Sequence, residues 1–222
     1  MSRLNNLNKE EWARYNKTVW NCCSSDGYFA SFDKELPKRL IRYFTFPGDT
    51  VLDPFVGSGT TLEAAQETGR NAVGIDCSLK AIGVSKKKIN PRDNLSITAM
   101  GGDARDLSRF GKNEFDFIVT SPPYFDIVRY STDNSQIGNL KDYGEFIENV
   151  IIAFEECRRV LKLKKYLSVI TADIRKAHQY YPTHIDYINR LGEIGFKLHQ
   201  IMINEFKSSG FRTKGDCSGN NA

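Results

Sequence analysis

The sequence contains few residues of the kinds that build disulfide frameworks or metal centres. Its five cysteines are an odd number, and no two of them have the CxxC spacing of a zinc site. The three histidines are not spaced as ligands beside a pair of carboxylates. We therefore expect reduced thiols and no bound metal.

Long apolar stretches are also absent from the sequence. Residues 1–16 are polar and charged, without the apolar core of a secretion signal. No run approaches the roughly 20 residues that cross a membrane as a helix. These absences predict a cytoplasmic protein without a membrane partner. The formal net charge of +4 permits a nucleic-acid partner but does not require one.

The apolar residues fall into short runs separated by helical patterns. Candidate strands cover residues 50–52, 72–75, 97–100, 115–119, 166–170 and 200–203. Candidate helices cover residues 62–68, 143–161 and 183–191, the last with Thr183 as its N-cap. This alternation predicts an α/β fold with a mostly parallel twisted sheet and helices on both faces. We expect one domain over residues 1–206, followed by a polar, flexible tail over residues 207–222.

A first motif, DPFVGSGTT at residues 53–61, follows one candidate strand. Its glycines permit positive φ angles and close approach of the backbone to a ligand. The helix that follows would offer free N–H groups at its start. Leu62 stands where the dinucleotide fingerprint has its third glycine, which lowers the case for NAD. An ordinary tight strand-to-helix turn is the alternative interpretation.

Two carboxylates follow further candidate strands. Asp76 can accept hydrogen bonds from two ribose hydroxyls, or it can serve as an acidic residue at a helix N-terminus. Asp103 can receive an adenine amino group, or it can be a plain turn aspartate. Ligands of parallel sheets bind beyond the carboxyl ends of the strands, where both carboxylates and the first motif are expected.

A second motif, Ser121-Pro122-Pro123-Tyr124, follows the candidate strand 115–119. The Ser121 hydroxyl and the Pro122 carbonyl can accept the two N–H groups of an exocyclic base amine, and the consecutive prolines stiffen the backbone that carries them. Tyr124 can stack on a base flipped out of the duplex. This pattern predicts direct in-line methyl transfer, without a covalent intermediate. A proline-rich turn is the alternative interpretation.

The two motifs resemble motifs I and IV of the amino DNA methyltransferases, which methylate N4 of cytosine or N6 of adenine. The likeness extends from about residue 20 to residue 207, and the segment 29–41 resembles motif X of that family. Phe29 departs from the family pattern, because many relatives have histidine there. No cysteine follows a proline, so the nucleophile of the C5-cytosine enzymes has no counterpart.

The resemblance implies a Rossmann-like fold, S-adenosylmethionine as cofactor, DNA as partner and a restriction-modification context. It assigns cofactor binding to Phe32, Asp53, Pro54, Phe55, Gly57, Ser58, Gly59, Thr60, Thr61, Asp76, Asp103 and Ala104. It assigns the chemistry to Ser121, Pro122, Pro123 and Tyr124. In the loop 125–141 we expect Arg129 and Tyr130 to bind DNA, since arginine suits phosphates and base edges.

The serine of the second motif resembles the N4-cytosine enzymes, so we expect cytosine as the target, with N6 of adenine as the alternative. An RNA or protein amide methyltransferase is a further alternative. So is a cofactor-binding subunit that needs a partner or a second copy, because no target-recognition region is evident in the sequence. The lysines at 86–88 are interpreted as a solvated helix end rather than a phosphate clamp.

Overall fold

The computed structural model of the protein describes residues 5–22, 33–90, 94–127, 136–176 and 178–205. The described helices are α1 (Lys9–Tyr15), α2 (Glu35–Phe44), α3 (Thr60–Glu67), α4 (Leu79–Lys88), α5 (Tyr143–Val160) and α6 (Thr183–Glu193). The described strands are β1 (Val19–Trp20), β2 (Thr50–Asp53), β3 (Asn71–Asp76), β4 (Ile97–Gly101), β5 (Phe115–Thr120), β6 (Leu161–Val169), β7 (Ile174–Lys176), β8 (Gln179–Tyr181) and β9 (Ile203–Asn204).

The central sheet has five parallel strands in the order β4-β3-β2-β5-β6. The chain builds this sheet outward from β2 to β3 and β4, and then returns to place β5 on the other side of β2. The direction of winding therefore reverses between β2 and β5. In parallel sheets such a switch point opens a crevice at the carboxyl ends of the two strands. The predicted parallel sheet is confirmed.

Helices cover both faces of the sheet, as expected. Side chains of α2, α3 and α4 form one hydrophobic cluster, and side chains of α5 and α6 form the other. All six residues of β5 are buried, because this strand lies inside the sheet and is covered on both faces. Helix α5 begins after Asp142, whose side chain accepts a hydrogen bond from the Glu145 N–H at 2.8 Å.

Three details differ from the sequence predictions. The candidate strand 200–203 is not part of the central sheet, because only Ile203–Asn204 is extended and it pairs with β1 in a separate two-stranded sheet. Thr183 is not the N-cap of α6; it is the first helical residue, and Pro182 precedes it without a side-chain cap. The hairpin of β7 and β8 was not predicted, since three-residue strands are too short to show a period.

Several predicted features lie outside the described residues, namely Phe29, Phe32, Arg129, Tyr130 and the tail 207–222. Among the helices that the structure describes, none is long and apolar enough to span a membrane. Within the same described ranges, no group of three or more His, Cys, Asp or Glu side chains is arranged to hold a metal ion.

Gly74 in β3 gives a test of how tightly the first motif packs on the sheet. A Cβ at this position would lie 2.5 Å from Val56 Cγ2 and 2.8 Å from Val56 Cβ. We expect Gly74→Ala to lower the free energy of unfolding by about 1–3 kcal/mol in urea titrations, because the added methyl overpacks the interior. Gly83→Ala in α4 is the matched control, since no heavy atom lies within 4 Å of its new Cβ. Equal stability of the two variants would contradict this packing.

Candidate active site

The two motifs meet at the switch point of the sheet. Residues 54–59, here called the glycine turn, follow β2, and residues 121–124, the proline loop, follow β5. Where these strands end, Thr120 Oγ1 donates a hydrogen bond of 2.6 Å to Asp53 Oδ1. Both side chains are buried. One enclosed hydrogen bond therefore joins the bases of the two loops.

Asp53 is surrounded by protein donors. Besides the bond from Thr120, its Oδ1 accepts the Phe55 N–H at 3.1 Å. Burial, with a smaller contribution from the nearby charge of Asp76, raises the pKa of the Asp53 carboxyl to about 6, against the hydrogen bonds that favour its ionised form. The cofactor contact expected for Asp53 stays a prediction, and the contacts that the structure gives this carboxylate are internal.

Two glycines with positive φ shape the glycine turn. The φ angle is 50° at Gly57 and 87° at Gly59, a region that favours glycine. A Cβ on Gly59 would lie 3.0 Å from the Cα and Cβ of Ser85, and the Ser85 hydroxyl donates to the Gly57 carbonyl at 2.7 Å. Helix α3 begins at Thr60, directly after the turn. Backbone without side chains is therefore next to a helix N-terminus, an arrangement suited to close contact with a ligand.

Asp76 ties the glycine turn to the end of β3. Its Oδ2 accepts the Gly57 N–H at 2.9 Å, and its Oδ1 accepts the Ser78 N–H at 2.8 Å. Burial raises the pKa of the Asp76 carboxyl, against these two backbone hydrogen bonds. A carboxylate has about four acceptor positions, so Asp76 retains the capacity to accept ligand hydroxyls.

Asp103, just after β4, is held by Arg105. The Arg105 Nη2 donates to Asp103 Oδ2 at 2.6 Å, and the Arg105 N–H donates to Asp103 Oδ1 at 2.9 Å. Partial burial raises the pKa of Asp103, but the hydrogen bonds from Arg105 outweigh it, so the pKa lies below its usual value. Asp103 is therefore ionised near neutral pH and fixed in orientation. Its neighbour Ala104 is buried.

The proline loop is an irregular segment whose side chains contact one another. The side chains of Ser121 and Tyr124 share a hydrogen bond, and burial raises the pKa of the Tyr124 phenol. Pro122 is buried, and the Tyr124 ring packs against the hydrophobic cluster of α5 and α6. These contacts restrict the Tyr124 ring and place the serine hydroxyl beside it.

Comparison with known proteins finds similar sequences for the segment that contains α2 and the glycine turn. Residues 2–87 match the sequence model of the N6/N4 DNA methylase family, and residues 51–134 match a general methyltransferase domain. The type II methyltransferase M.MjaI of Methanocaldococcus jannaschii is 41% identical over 107 residues, which are 42% of this chain and 35% of that protein. These segments of the chain are thus similar to N6/N4 DNA methylases and to type II methyltransferases. The type II methyltransferase M.BglI of Bacillus subtilis is 45% identical over 89 residues, 38% of this chain and 26% of that protein.

This similarity covers part of each protein, because the matched segments span about a third of M.MjaI and a quarter of M.BglI. The fold is also similar to that of a solved methyltransferase structure. A TehB-like SAM-dependent methyltransferase from Corynebacterium glutamicum superimposes with a TM-score of 0.50 at 18% identity, over 73% of each chain. At this identity the likeness shows the fold alone, the Rossmann-like methyltransferase fold that the motifs predict.

Two residues that anchor the proline loop were not predicted. Phe125 is buried, with ring centroids 5.2 Å from both Tyr143 and Tyr181. Asp126 forms ion pairs with Lys141, which precedes α5, and with Lys176 of β7. The sequence shows the aromatic and the carboxylate beside the motif, but their partners are distant along the chain and carry no local signal.

The raised pKa of Asp53 makes a prediction about stability. The pKa is about 6 in the folded protein, against a reference value of 3.8, so between these pH values the folded state binds more protons than the unfolded state. The folded state therefore becomes less stable relative to the unfolded state as the pH rises from about 4 to above 6. The asparagine of Asp53→Asn cannot ionise, so its stability does not have this pH dependence. We expect the unfolding free energy of the variant, relative to that of the wild type, to rise by up to about 3 kcal/mol between pH 4 and pH 7. Urea unfolding at several pH values measures the shift.

Asp116→Asn is the matched control for this measurement. Partial burial raises the pKa of Asp116, but its contacts with Lys162 and Lys165 outweigh this effect and lower the pKa. The wild type should therefore gain stability over Asp116→Asn as pH rises, the opposite direction. A pH-independent difference between Asp53→Asn and the wild type would contradict the raised pKa.

Proposed function

We propose that the protein transfers a methyl group from S-adenosylmethionine to the exocyclic N4 of cytosine in DNA, as part of a restriction-modification system. The observation that carries the proposal is the meeting of the glycine turn and the proline loop at the switch point, with Thr120 and Asp53 in contact at their bases. The match to the DNA methylase family and to type II methyltransferases supports DNA as the substrate. Because the chain spans a minor part of those relatives, the activity of the whole protein is included in the proposal.

The residues at the ends of β2, β3 and β4 suit S-adenosylmethionine, the cofactor that the methyltransferase matches support. The absence of a side chain at Gly57, which is partly exposed, leaves backbone accessible to a ligand, and Asp76 on the next strand suits ribose hydroxyls. Asp103, ionised and oriented by Arg105, suits the adenine amino group. The remaining residues assigned to this site are Phe32, Asp53, Pro54, Phe55, Ser58, Thr60, Thr61 and Ala104. The bound cofactor supplies an electrophilic methyl group.

The proline loop would orient the target amine. The lone pair of an exocyclic amino nitrogen is delocalised into the ring, so the amine is a poor nucleophile until its geometry is constrained. Acceptors at the Ser121 hydroxyl and the Pro122 carbonyl would hold its two N–H groups, and the Tyr124 ring would hold the base by stacking. The transfer is then a direct in-line displacement governed by position.

DNA would reach this site from the side of the proline loop. Arg129 and Tyr130 follow it in sequence and are proposed as DNA contacts, and the ion pair of Asp126 with Lys141 brings the two ends of the segment 127–140 together. The lysines at 86–88 lie at the end of α4, away from the carboxyl ends of the strands, and Lys88 pairs with Glu63 at 3.1 Å. Their position supports the solvated helix end over a phosphate clamp.

The test of the proposed function is product analysis. We expect the purified chain, incubated with isotopically labelled S-adenosylmethionine and mixed-sequence duplex DNA, to yield labelled N4-methylcytosine in nucleoside mass spectrometry. Labelled N6-methyladenine would support an amino DNA methyltransferase whose target base is adenine instead of cytosine. A protein that binds the cofactor and labels RNA or protein but not DNA would contradict the proposal, and activity only with an added recognition subunit would favour a split enzyme.

Tyr124 is tested separately from cofactor binding. We expect Tyr124→Ala to lower the single-turnover transfer rate by about tenfold or more, because base stacking is worth about 1–3 kcal/mol. The dissociation constant for S-adenosylhomocysteine in calorimetry should change by less than about threefold. Tyr124→Phe is the control that keeps the ring and loses the hydrogen bond to Ser121, and it should retain more of the rate. A transfer rate unchanged in Tyr124→Ala would remove this ring from the site.

A further inference from the structure

The ladder between β2 and β5 is shorter than the ladders on either side of it. These strands pair at Val51 with Phe117 and at Leu52 with Ile118. Beyond that point each strand stays paired with its outer neighbour, Asp53 with Gly74 of β3 and Thr120 with Val169 of β6. The described pairing between β2 and β5 thus stops just before the residues that carry the two loops.

A side-chain contact joins β2 and β5 beyond the point where their described backbone pairing stops. Thr120 Oγ1 and Asp53 Oδ1 lie 2.6 Å apart, with relative exposures of 0% for Thr120 and 2% for Asp53. Hydrogen bonds to a charged group that is shielded from water are among the stronger ones in proteins. Thr120 has no role in the chemistry proposed above, and for Asp53 the resemblance implies only a cofactor contact.

We infer that the hydrogen bond from Thr120 to Asp53 is a positioning contact that fixes the proline loop relative to the glycine turn, so that the base amine and the methyl donor meet in line. This inference rests on the proposed function. Thr120 directly precedes the acceptor Ser121. The same Asp53 oxygen also accepts the Phe55 N–H of the glycine turn. A single oxygen atom therefore sets the positions of both loops, and misplacement by about 1 Å can slow an in-line reaction about a hundredfold.

Thr120→Val and Thr120→Ser separate the hydroxyl from the shape of the side chain. Valine keeps the branched shape and removes the donor, whereas serine keeps the donor. We expect Thr120→Val to lower the single-turnover rate at saturating DNA and S-adenosylmethionine by about tenfold or more, with the dissociation constant for S-adenosylhomocysteine within about threefold of wild type. Thr120→Ser should recover most of the rate. Wild-type transfer by Thr120→Val, or equal slowing in both variants, would overturn the inference.

Hydrogen exchange gives a readout that does not depend on activity. In the ligand-free protein we expect the amides of Ser121, Tyr124 and Phe125 to exchange faster in Thr120→Val than in the wild type or Thr120→Ser, measured on peptides that cover residues 119–127. Peptides of β4 should exchange equally in all three proteins, which excludes global destabilisation as the cause. If the wild type methylates no DNA, the proposed function fails, yet exchange still decides the contact: identical rates in the wild type and Thr120→Val would overturn it.

Discussion

The crevice between β2 and β5 results from the winding of the chain, and the placement of the site depends on it. The loop after β2 leads outward to one side of the sheet and the loop after β5 to the other, so the two loops diverge and leave space beyond the strand ends. Backbone pairing between the two strands ends at Leu52 and Ile118. Since the backbone ladder does not continue, side chains must fix the distance between the loops. Thr120 and Asp53 provide that contact.

Three carboxylates occupy successive strand ends, and each has a different kind of partner. Asp53 accepts from a hydroxyl, Asp76 from backbone N–H groups and Asp103 from a guanidinium. Burial raises the pKa values of Asp53 and Asp76, because their neutral donors offset it only in part, whereas the contacts with Arg105 outweigh burial and lower the pKa of Asp103. Burial of Asp53 and Asp76 costs folding stability, and repulsion from Asp76 adds to the raised pKa of Asp53. Under the proposed function, these carboxylates would serve a ligand that carries positive charge and donor groups.

The sequence is sufficient to predict what depends on local pattern. The central strands, helix α5 and the position of both motifs at strand ends follow from short apolar runs and a 3.6-residue period. Residues that depend on distant partners were not predictable: Thr120 and Asp53 are 67 positions apart, and Asp126 and Lys176 are 50 apart. The segment 200–203 has a strand-like composition, yet its partner is the two-residue strand β1 rather than the sheet. Phe32, Arg129 and Tyr130 lie outside the described residues, and their roles remain predictions from the sequence.

The same electrostatics bears on why residue 121 is a serine. An aspartate there would place another carboxylate next to Thr120, whose partner Asp53 already has a pKa of about 6 because of burial. A further like charge would favour protonation of Asp53 near neutral pH and weaken the charged hydrogen bond between the loops. Serine has an oxygen without a charge, which is the acceptor for the base amine under the proposed function, and it contacts the Tyr124 side chain that is proposed to stack on the base. The crevice thus has carboxylates on the side of β2, β3 and β4 and neutral acceptors after β5, a distribution suited to the proposed transfer from a cationic methyl donor to a neutral base amine.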